Sequence, residues 1–254
     1  VVWQHAAGQI VVHEIPGDGT LGPAGPGTPI EGTTSFGGPA LQLKAHFDTD
    51  AFEDLLIAKA DSWQPWRSNG DGTFTPGPAL AKPPGNLPNV AAGDIDGDGD
   101  DDLFFQAFDG STTWLASLGD GSFGPASATT ISGLTKLANP TVELGDADGD
   151  GLADLFAGGL EAPLGALRWW KGAGAGAFGP PQQLASGPAK TSRIRVEDLD
   201  GDGDLDVVAH GQAPGTTTAP AAALTVVIGH GAGTFDAPSV YASGVILAES
   251  PAPV

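Results

Sequence analysis

The sequence predicts an all-β protein, a β-propeller of about five four-stranded antiparallel blades. Three observations predict this fold: an acidic loop recurs every 52 residues, a Gly-x-Gly turn recurs later in each unit, and short apolar segments separate them. Tandem units of about fifty residues that each hold several short strands are typical of propellers, which cover their sheet edges by radial packing.

The acidic loop carries Asp at positions 1, 3, 5 and 9 and Gly at positions 4 and 6. Three complete copies begin at Asp94, Asp146 and Asp198, and together they hold about half of the 31 acidic residues. A degenerate copy begins at His46, with Ala51 where the second glycine would stand. Such regular spacing predicts tandem repeats rather than isolated turns.

The second marker is a Gly-x-Gly-[Ser/Thr/Ala]-[Phe/Leu] turn. Within a unit, one apolar segment precedes the acidic loop, one follows it, one leads into the Gly turn and one follows that turn. Four short strands with tight turns between them predict an antiparallel blade. The five turns span residues 17–21, 70–74, 119–123, 174–178 and 231–235.

The repeats predict a single propeller domain over residues 1–254. Residues 1–3 fit the strand after an acidic loop, and residues 245–249 fit the strand before one. We therefore expect the two termini to share one blade, which would remove an exposed sheet edge. The alternative is a fragment of a longer array with six or seven blades. The expected blades are 245–254 with 1–38, 39–87, 88–137, 138–190 and 191–244.

The acidic loops predict calcium sites. Calcium takes six to eight oxygen ligands, and carboxylates at positions 1, 3 and 5 of a tight turn converge on one point. The backbone carbonyl at position 7 and the Asp at position 9 would complete the shell. A fourth ion is possible in the degenerate loop, with candidates His46, Asp48, Asp50 and Asp54. The expected ligands of three ions are Asp94, Asp96, Asp98, Asp100, Asp102, Asp146, Asp148, Asp150, Leu152, Asp154, Asp198, Asp200, Asp202, Asp204 and Asp206.

Two other interpretations of these loops were weighed. EF-hand loops share the first six positions, but they close with an acid at position 12 and continue into a helix. Here the last acid is at position 9, and strand residues such as Leu103-Phe-Phe follow. Asp and Gly also form turns without any ion, and that alternative stays open at the level of sequence.

The loops together with turns such as Gly121-Ser-Phe-Gly-Pro125 resemble the FG-GAP/VCBS repeat family. The resemblance covers essentially the whole chain. It implies a propeller, calcium in the loops, and adhesion or ligand binding more often than catalysis, as in integrin α heads and fungal propeller lectins. The only residues that the resemblance carries over are the calcium ligands, Asp94, Asp96, Asp98, Asp102 and their equivalents.

Composition excludes several classes of function. A net charge of −21 argues against nucleic acid as a partner, because phosphate binding needs clustered Lys and Arg. The chain has no cysteine and no apolar run of membrane-spanning length. Cytosolic calcium would seldom occupy loops that bind it weakly, whereas extracellular calcium would, so we expect a secreted or cell-surface protein. High Gly, Ala and Pro with few Lys favour a bacterial source.

Tryptophans are the candidates for ligand contacts because indole faces stack on sugars. Trp63 and Trp66 lie in a stretch that is not repeated, and Trp170 must point opposite to Trp169 on a strand, which predicts that one of that pair is exposed. These features name Trp63, Trp66 and Trp170 as candidates. Trp114 and Trp169 occupy equivalent positions and are expected to pack between blades.

The function expected from these features is recognition or adhesion, non-catalytic and lectin-like, with a glycan or protein ligand. One alternative is a structural subunit of an extracellular assembly, in which self-association would be a sign. The other is a carbohydrate-active enzyme, which needs a pair of carboxylates. The glutamates left for such a pair are Glu53, Glu143, Glu161 and Glu197.

Overall fold

The computed structural model describes two compact units, 1–129 and 130–254. Apart from one short 3-10 helix, Leu134–Lys136, the regular structure in the described ranges is β-strand. No helix in this part of the chain is long and apolar enough to cross a bilayer. The described residues are 2–5, 9–12, 28–29, 40–59, 61–82, 89–107, 110–161, 164–185, 190–212 and 222–243.

The first unit contains three antiparallel sheets in its described ranges. Its strands are β1 (Val2–His5), β2 (Gln9–Val12), β3 (Thr28–Pro29), β4 (Ala40–Ala45), β5 (Asp54–Ala58), β6 (Ser62–Ser68), β7 (Phe74–Pro76), β8 (Leu80–Ala81), β9 (Asn89–Gly93), β10 (Asp102–Gln106), β11 (Thr112–Leu115) and β12 (Ser127–Thr129). The sheet orders are β1-β2-β3, then β4-β5-β6-β7 with β8 also paired to β6, and β9-β10-β11-β12.

The second unit contains two four-stranded antiparallel sheets in its described ranges. Its strands are β13 (Ala138–Gly145), β14 (Asp154–Glu161), β15 (Leu164–Trp170), β16 (Gln182–Ala185), β17 (Lys190–Glu197), β18 (Asp206–Gln212), β19 (Ala222–Val227) and β20 (Ser239–Ser243). The sheet orders follow the chain, β13-β14-β15-β16 and β17-β18-β19-β20.

The acidic loop and the Gly turn lie at the same end of each of the four larger sheets in the described ranges. In the sheet β9–β12, Asp102 pairs with Gly93 across the acidic loop, and Leu103 pairs with Leu115 near the end of β11. Each strand runs opposite to its neighbour, so the turn 119–123 returns to the end that holds the loop 94–102. This placement lets the turn contact the loop.

The core of the first unit lies between its last two sheets. Trp63 packs against Phe105 with ring centroids 5.7 Å apart, and Leu56 and Leu103 belong to the same cluster. Strands β5 and β10 are buried along their whole length, which explains why their apolar residues run without alternation. Each fully buried Leu or Phe stabilises the unit by roughly 1.5–3 kcal/mol.

The core of the second unit is built the same way. Phe156, Leu167 and Trp169 from the sheet β13–β16 pack with Ile194 and Val207 from the sheet β17–β20. The Gly turn 231–235 adds an aromatic ring, whose centroid lies 5.5 Å from that of Trp169. The Phe of the Gly turn is therefore a residue that joins adjacent blades.

The predicted fold class is confirmed: the chain is an all-β protein of the β-propeller class. Among the described residues, four sheets have at least the four antiparallel strands of a blade, where the prediction was about five blades. The fifth sheet, β1-β2-β3, has three strands in the described ranges. The predicted closing segment, 245–254, lies outside the described residues.

Candidate metal centres

The aspartate at position 9 ties each acidic loop to its blade. Asp102 begins β10 and is fully buried; its Oδ2 accepts the backbone N–H of Ile95 at 2.8 Å, and its Oδ1 accepts that of Ser117 at 2.8 Å. One carboxylate thus joins the loop to the strand that leads into the Gly turn. Equivalent pairs of backbone bonds are made by the buried Asp54, Asp154 and Asp206.

Burial changes the protonation of Asp102, Asp54 and Asp154. It raises the pKa of Asp102 to about 7 and those of Asp54 and Asp154 to about 6, although two backbone N–H donors act on each in the opposite direction. Neighbouring acids add to the rise. A cation placed among them would favour the charged form.

The aspartate at position 1 folds the loop around itself. Asp94 accepts backbone N–H groups from Gly97 at 2.6 Å and Gly99 at 3.0 Å. Both glycines have positive φ, +86° and +96°, which residues with a side chain rarely adopt. This explains the Gly at positions 4 and 6. Asp146 and Asp198 make the same contacts in their own loops.

The carboxylates at positions 1, 3 and 9 of each complete loop come together. In each cluster, one oxygen from every residue lies within 4.8 Å of the others, so each cluster could hold a metal ion. The three clusters are Asp94, Asp96 and Asp102; Asp146, Asp148 and Asp154; and Asp198, Asp200 and Asp206.

Buried oxygens without a partner test whether these clusters fit an ion. Oδ1 of Asp96 and Oδ1 of Asp148 are buried and accept no hydrogen bond from the described part of the chain. A buried carboxylate oxygen in that state is costly unless a cation or water meets it. A hard oxygen-seeking divalent cation fits this donor set. In the third loop, Asp198 and Asp200 are exposed.

The predicted ligands at positions 5 and 7 lie outside the three-carboxylate clusters. An oxygen of Asp98 accepts the backbone N–H of Asp100 at 3.0 Å, and Asp150 and Asp202 repeat this contact two residues before Leu152 and Asp204. The position 5 carboxylates therefore shape the loop. Asp100 is 5% exposed, and burial first, then Asp98, raises its pKa. The predicted role of the position 7 carbonyls stays a prediction.

The degenerate loop is organised differently. His46, Asp48, Asp50 and Asp54 do not form a three-residue metal cluster in the described part of the chain. The side chain of Asp48 lies 3.7 Å from Nη1 of Arg67, and Asp54 binds two backbone N–H groups. The possible fourth ion therefore has no such cluster to support it.

A basic side chain reaches one of the complete loops. Nζ of Lys171 contacts Oδ2 of Asp148 and lies 2.8 Å from Oδ2 of Asp150. Sequence reasoning missed Lys171 because it stands seventeen residues beyond the end of the loop. Its place directly before Gly172, whose N–H binds Asp154, becomes apparent only in the structure.

Backbone bonds join neighbouring blades at the loop end. Gly121 in the turn of one blade donates its N–H to the carbonyl of Phe47 at 3.1 Å, in the loop of the preceding blade. In the second unit, Gly233 donates to Ala147 at 3.2 Å. Each contact joins a Gly turn to position 2 of a loop, so loop geometry and blade packing depend on each other.

The tryptophans named as ligand contacts are buried. Trp63 and Trp170 are 0% exposed and Trp66 is 5% exposed, so they are packed in the interior instead of presenting their faces to a ligand. Trp170 also donates its indole N–H to Ser132 O at 2.8 Å. The prediction that Trp169 or Trp170 is exposed is wrong, since Trp169 is 3% exposed. Both faces of a blade are covered, so alternation along the strand does not expose either residue.

Among solved structures, the chain is similar to a lectin from Agrocybe aegerita described as specifically recognising non-reducing terminal N-acetylglucosamine. The identity is 21% and the TM-score 0.62, over 94% of this chain and 61% of the lectin. AofleA from Arthrobotrys oligospora is 12% identical, with a TM-score of 0.52 over 93% of this chain and 65% of that one. At these identities the likeness shows the fold alone.

The rhamnogalacturonan lyase YesW is 12% identical over 94% of this chain and 58% of the lyase, and its TM-score of 0.41 is too low to carry an argument. The chain spans less than two thirds of the length of these three proteins. No curated protein sequence matches it significantly.

A family model described as the FG-GAP-like repeat matches three overlapping segments, 46–105, 94–157 and 146–209. The matches include the degenerate loop and all three complete loops, and together they cover more than half of the chain. The predicted family is confirmed: this chain belongs to the FG-GAP-like repeat family.

Proposed function

We propose that this protein is a secreted, calcium-stabilised recognition module that binds glycans and is not an enzyme. The three aspartate clusters, two of which hold a buried carboxylate oxygen without a hydrogen-bond partner in the described part of the chain, carry the calcium part of this proposal. The fold likeness to the N-acetylglucosamine-binding lectin supports the glycan part. Terminal N-acetylglucosamine is therefore the first ligand to test.

Electrostatics supports calcium. Three carboxylates within 4.8 Å of one another repel unless a cation or a proton neutralises them. The net charge of −21 makes this repulsion worse across the chain. Extracellular calcium is abundant enough to fill sites of millimolar affinity, whereas cytosolic calcium is not. This argument supports an extracellular location.

Two exposed aromatic residues are candidates for glycan contacts and are the ones to substitute. Phe52 is 47% exposed at position 7 of the degenerate loop, and Tyr241 is 61% exposed on β20. Rings of this kind stack on sugars more readily than the buried indoles. Phe52 lies at the loop end of its blade, beside Gly70 of the Gly turn.

The enzyme alternative has less support from the described residues. Glu53 forms an ion pair with Lys44 at 2.5 Å, and Glu143 forms one with Arg195. Burial still raises the pKa of Glu143, although Arg195 lowers it. Glutamates that form ion pairs with basic side chains are poor candidates for the catalytic acid and base of a carbohydrate-active enzyme.

A structural subunit is the second candidate. Strand β20 ends the order of its sheet among the described strands, and Val240 on it is 55% exposed beside Tyr241. An exposed edge with apolar residues can pair with a second chain. Light scattering would compare the molar mass of Val240→Lys with that of the wild type. A wild-type dimer that Val240→Lys loses supports the alternative, and a monomeric wild type rules it out.

A glycan array tests the proposed function directly. The chain should bind glycans that end in N-acetylglucosamine in calcium, and binding should fall at least tenfold in excess chelator. Phe52→Ala and Tyr241→Ala show which exposed ring contributes, while Asp61→Asn removes an exposed carboxylate far from the clusters in sequence and serves as control. No glycan bound in either condition would overturn the glycan proposal.

A further inference from the structure

Lys171 stands at a defined point of the repeat. It directly precedes the residue whose backbone N–H binds the position 9 aspartate, and its Nζ reaches across to the acidic loop of the same blade. The contacts are to Asp148, at position 3, and to Asp150, at position 5. Its ammonium thus lies against a carboxylate of the 146–154 cluster.

The same point in the other blades can be found from the same hydrogen bond. The residues that precede the N–H donors to Asp54, Asp102 and Asp206 are Arg67, Ala116 and Ile228. Arg67 also points to position 3 of its loop, with Nη1 3.7 Å from Asp48. Two loops therefore contact a basic side chain from this point, whereas in the blades of the loops 94–102 and 198–206 an apolar residue stands there.

The burial of the two partners shows what the Lys171 contact does. The side chain of Asp148 is 7% exposed, whereas that of Lys171 is 48% exposed. A flexible four-carbon stem lets the ammonium leave for solvent, while the buried carboxylate has no such freedom. Oδ1 of Asp148 still has no hydrogen-bond partner. The lysine therefore contacts Oδ2 of Asp148, while Oδ1 of the same carboxylate is left for a cation.

We infer that Lys171 is a built-in counter-ion of the 146–154 loop. Its ammonium competes with calcium, so this loop binds calcium less tightly than a loop with an apolar residue at that point. The inference rests on the calcium binding of the proposed function. Calcium must displace the ammonium, or else bind beside it against like charge, and either course lowers affinity. Without calcium, the ammonium relieves the repulsion among the aspartates.

Calcium titration of the full chain tests this inference, with a competing fluorescent chelator to report each binding step. In Lys171→Met, one site should bind calcium about two- to fivefold more tightly, the range that one exposed ion pair supports. In excess chelator the same variant should melt at a lower temperature than the wild type. Adding Asp148→Asn to Lys171→Met should abolish the tighter site, which assigns it to this loop.

Ala116→Lys is the reciprocal variant. It places a lysine at the equivalent point of the 94–102 loop, and it should weaken one site and raise the melting temperature in chelator. This variant keeps the inference testable if Lys171→Met folds poorly.

The outcomes separate the two proposals. Three calcium sites in the wild type with unchanged affinities in both variants would overturn the role of Lys171 and leave calcium binding intact. A wild-type chain that binds no calcium would overturn both the calcium binding of the proposed function and the inferred competition by Lys171. Tighter binding in Lys171→Met together with weaker binding in Ala116→Lys supports the inference.

Discussion

The backbone N–H of Ser117 donates to the carboxylate of Asp102 at 2.8 Å, and this bond holds the strand before the Gly turn against the acidic loop. The same carboxylate accepts the N–H of Ile95 at the start of the loop. Position 9 therefore has a structural role in each of the four described acidic loops, with or without an ion. Asp54 performs this role in a loop that forms no metal cluster.

Asp102→Asn should destabilise the fold even in excess chelator. The amide nitrogen cannot accept a hydrogen bond, so one of two buried backbone N–H groups loses its partner, at a cost of about 1–3 kcal/mol. Urea unfolding in chelator measures this cost without any contribution from metal. Asp98→Asn, at position 5 of the same loop, is the control and should cost less than about 1 kcal/mol. Equal costs for the two variants would contradict the structural role.

Calcium should raise the melting temperature of the wild type markedly. A ligand that binds only the folded state stabilises it by about 2.7 kcal/mol per site at a hundredfold excess over the dissociation constant. Asp96→Asn and Asp148→Asn should each remove one site and part of this gain, because each removes a carboxylate from a cluster. Calorimetry in calcium and in chelator measures the difference. A wild-type melting curve that excess chelator leaves unchanged would refute calcium stabilisation.

The spacing of the aspartates predicted that the carboxylates at positions 1, 3, 5 and 9 would surround one point, and those at positions 1, 3 and 9 form the cluster. It could not predict that Asp98 would turn an oxygen to the backbone of Asp100 instead, since both contacts suit the same residue. It could not place Lys171 either, because that contact depends on how β15 returns to the loop.

The repeats also predicted the four-stranded sheets, because each Gly turn and acidic loop marks a reversal of the chain. The burial of Trp63, Trp66 and Trp170 was beyond the same reasoning. Trp63 lies between two sheets against Phe105, and blade packing of this kind covers both faces of a strand. Local alternation predicts an exposed face only where one face meets water.

The stability of the calcium-free protein should increase as the pH falls from 8 to 5. Burial raises the pKa of Asp102 to about 7, above its ordinary value of 3.8, so the folded state binds a proton more tightly than the unfolded chain. The stability that this proton adds is complete below the ordinary value and is lost as the pH rises through about 7. Melting temperatures in chelator across this range measure the effect. Asp102→Asn should flatten the curve, and an unchanged slope in that variant would contradict the assignment.

With calcium bound, the pH dependence should reverse. Metal binding requires the carboxylates to be deprotonated, so acid weakens the site and the stability that it confers. The melting temperatures with calcium and with chelator should therefore converge toward pH 5. A constant difference between them over the whole range would show that the ion does not bind these carboxylates.

Gly233→Ala should weaken the joint between the two blades of the second unit. Gly233 has a φ of +66°, and a Cβ there would lie 2.4 Å from Cη2 of Trp169, so the new methyl group adds both backbone strain and a clash. Together these cost about 2–5 kcal/mol, and they threaten the N–H contact to Ala147 at 3.2 Å. Gly179→Ala is the matched control, because its φ is not in the left-handed region and its Cβ would meet nothing closer than 3.6 Å. Urea unfolding followed by tryptophan fluorescence should show a large loss for the first variant and a change within about 1 kcal/mol for the second. If Gly233→Ala proves as stable as Gly179→Ala, the turn does not need to approach Trp169 so closely, and the coupling of loop geometry to blade packing fails with it.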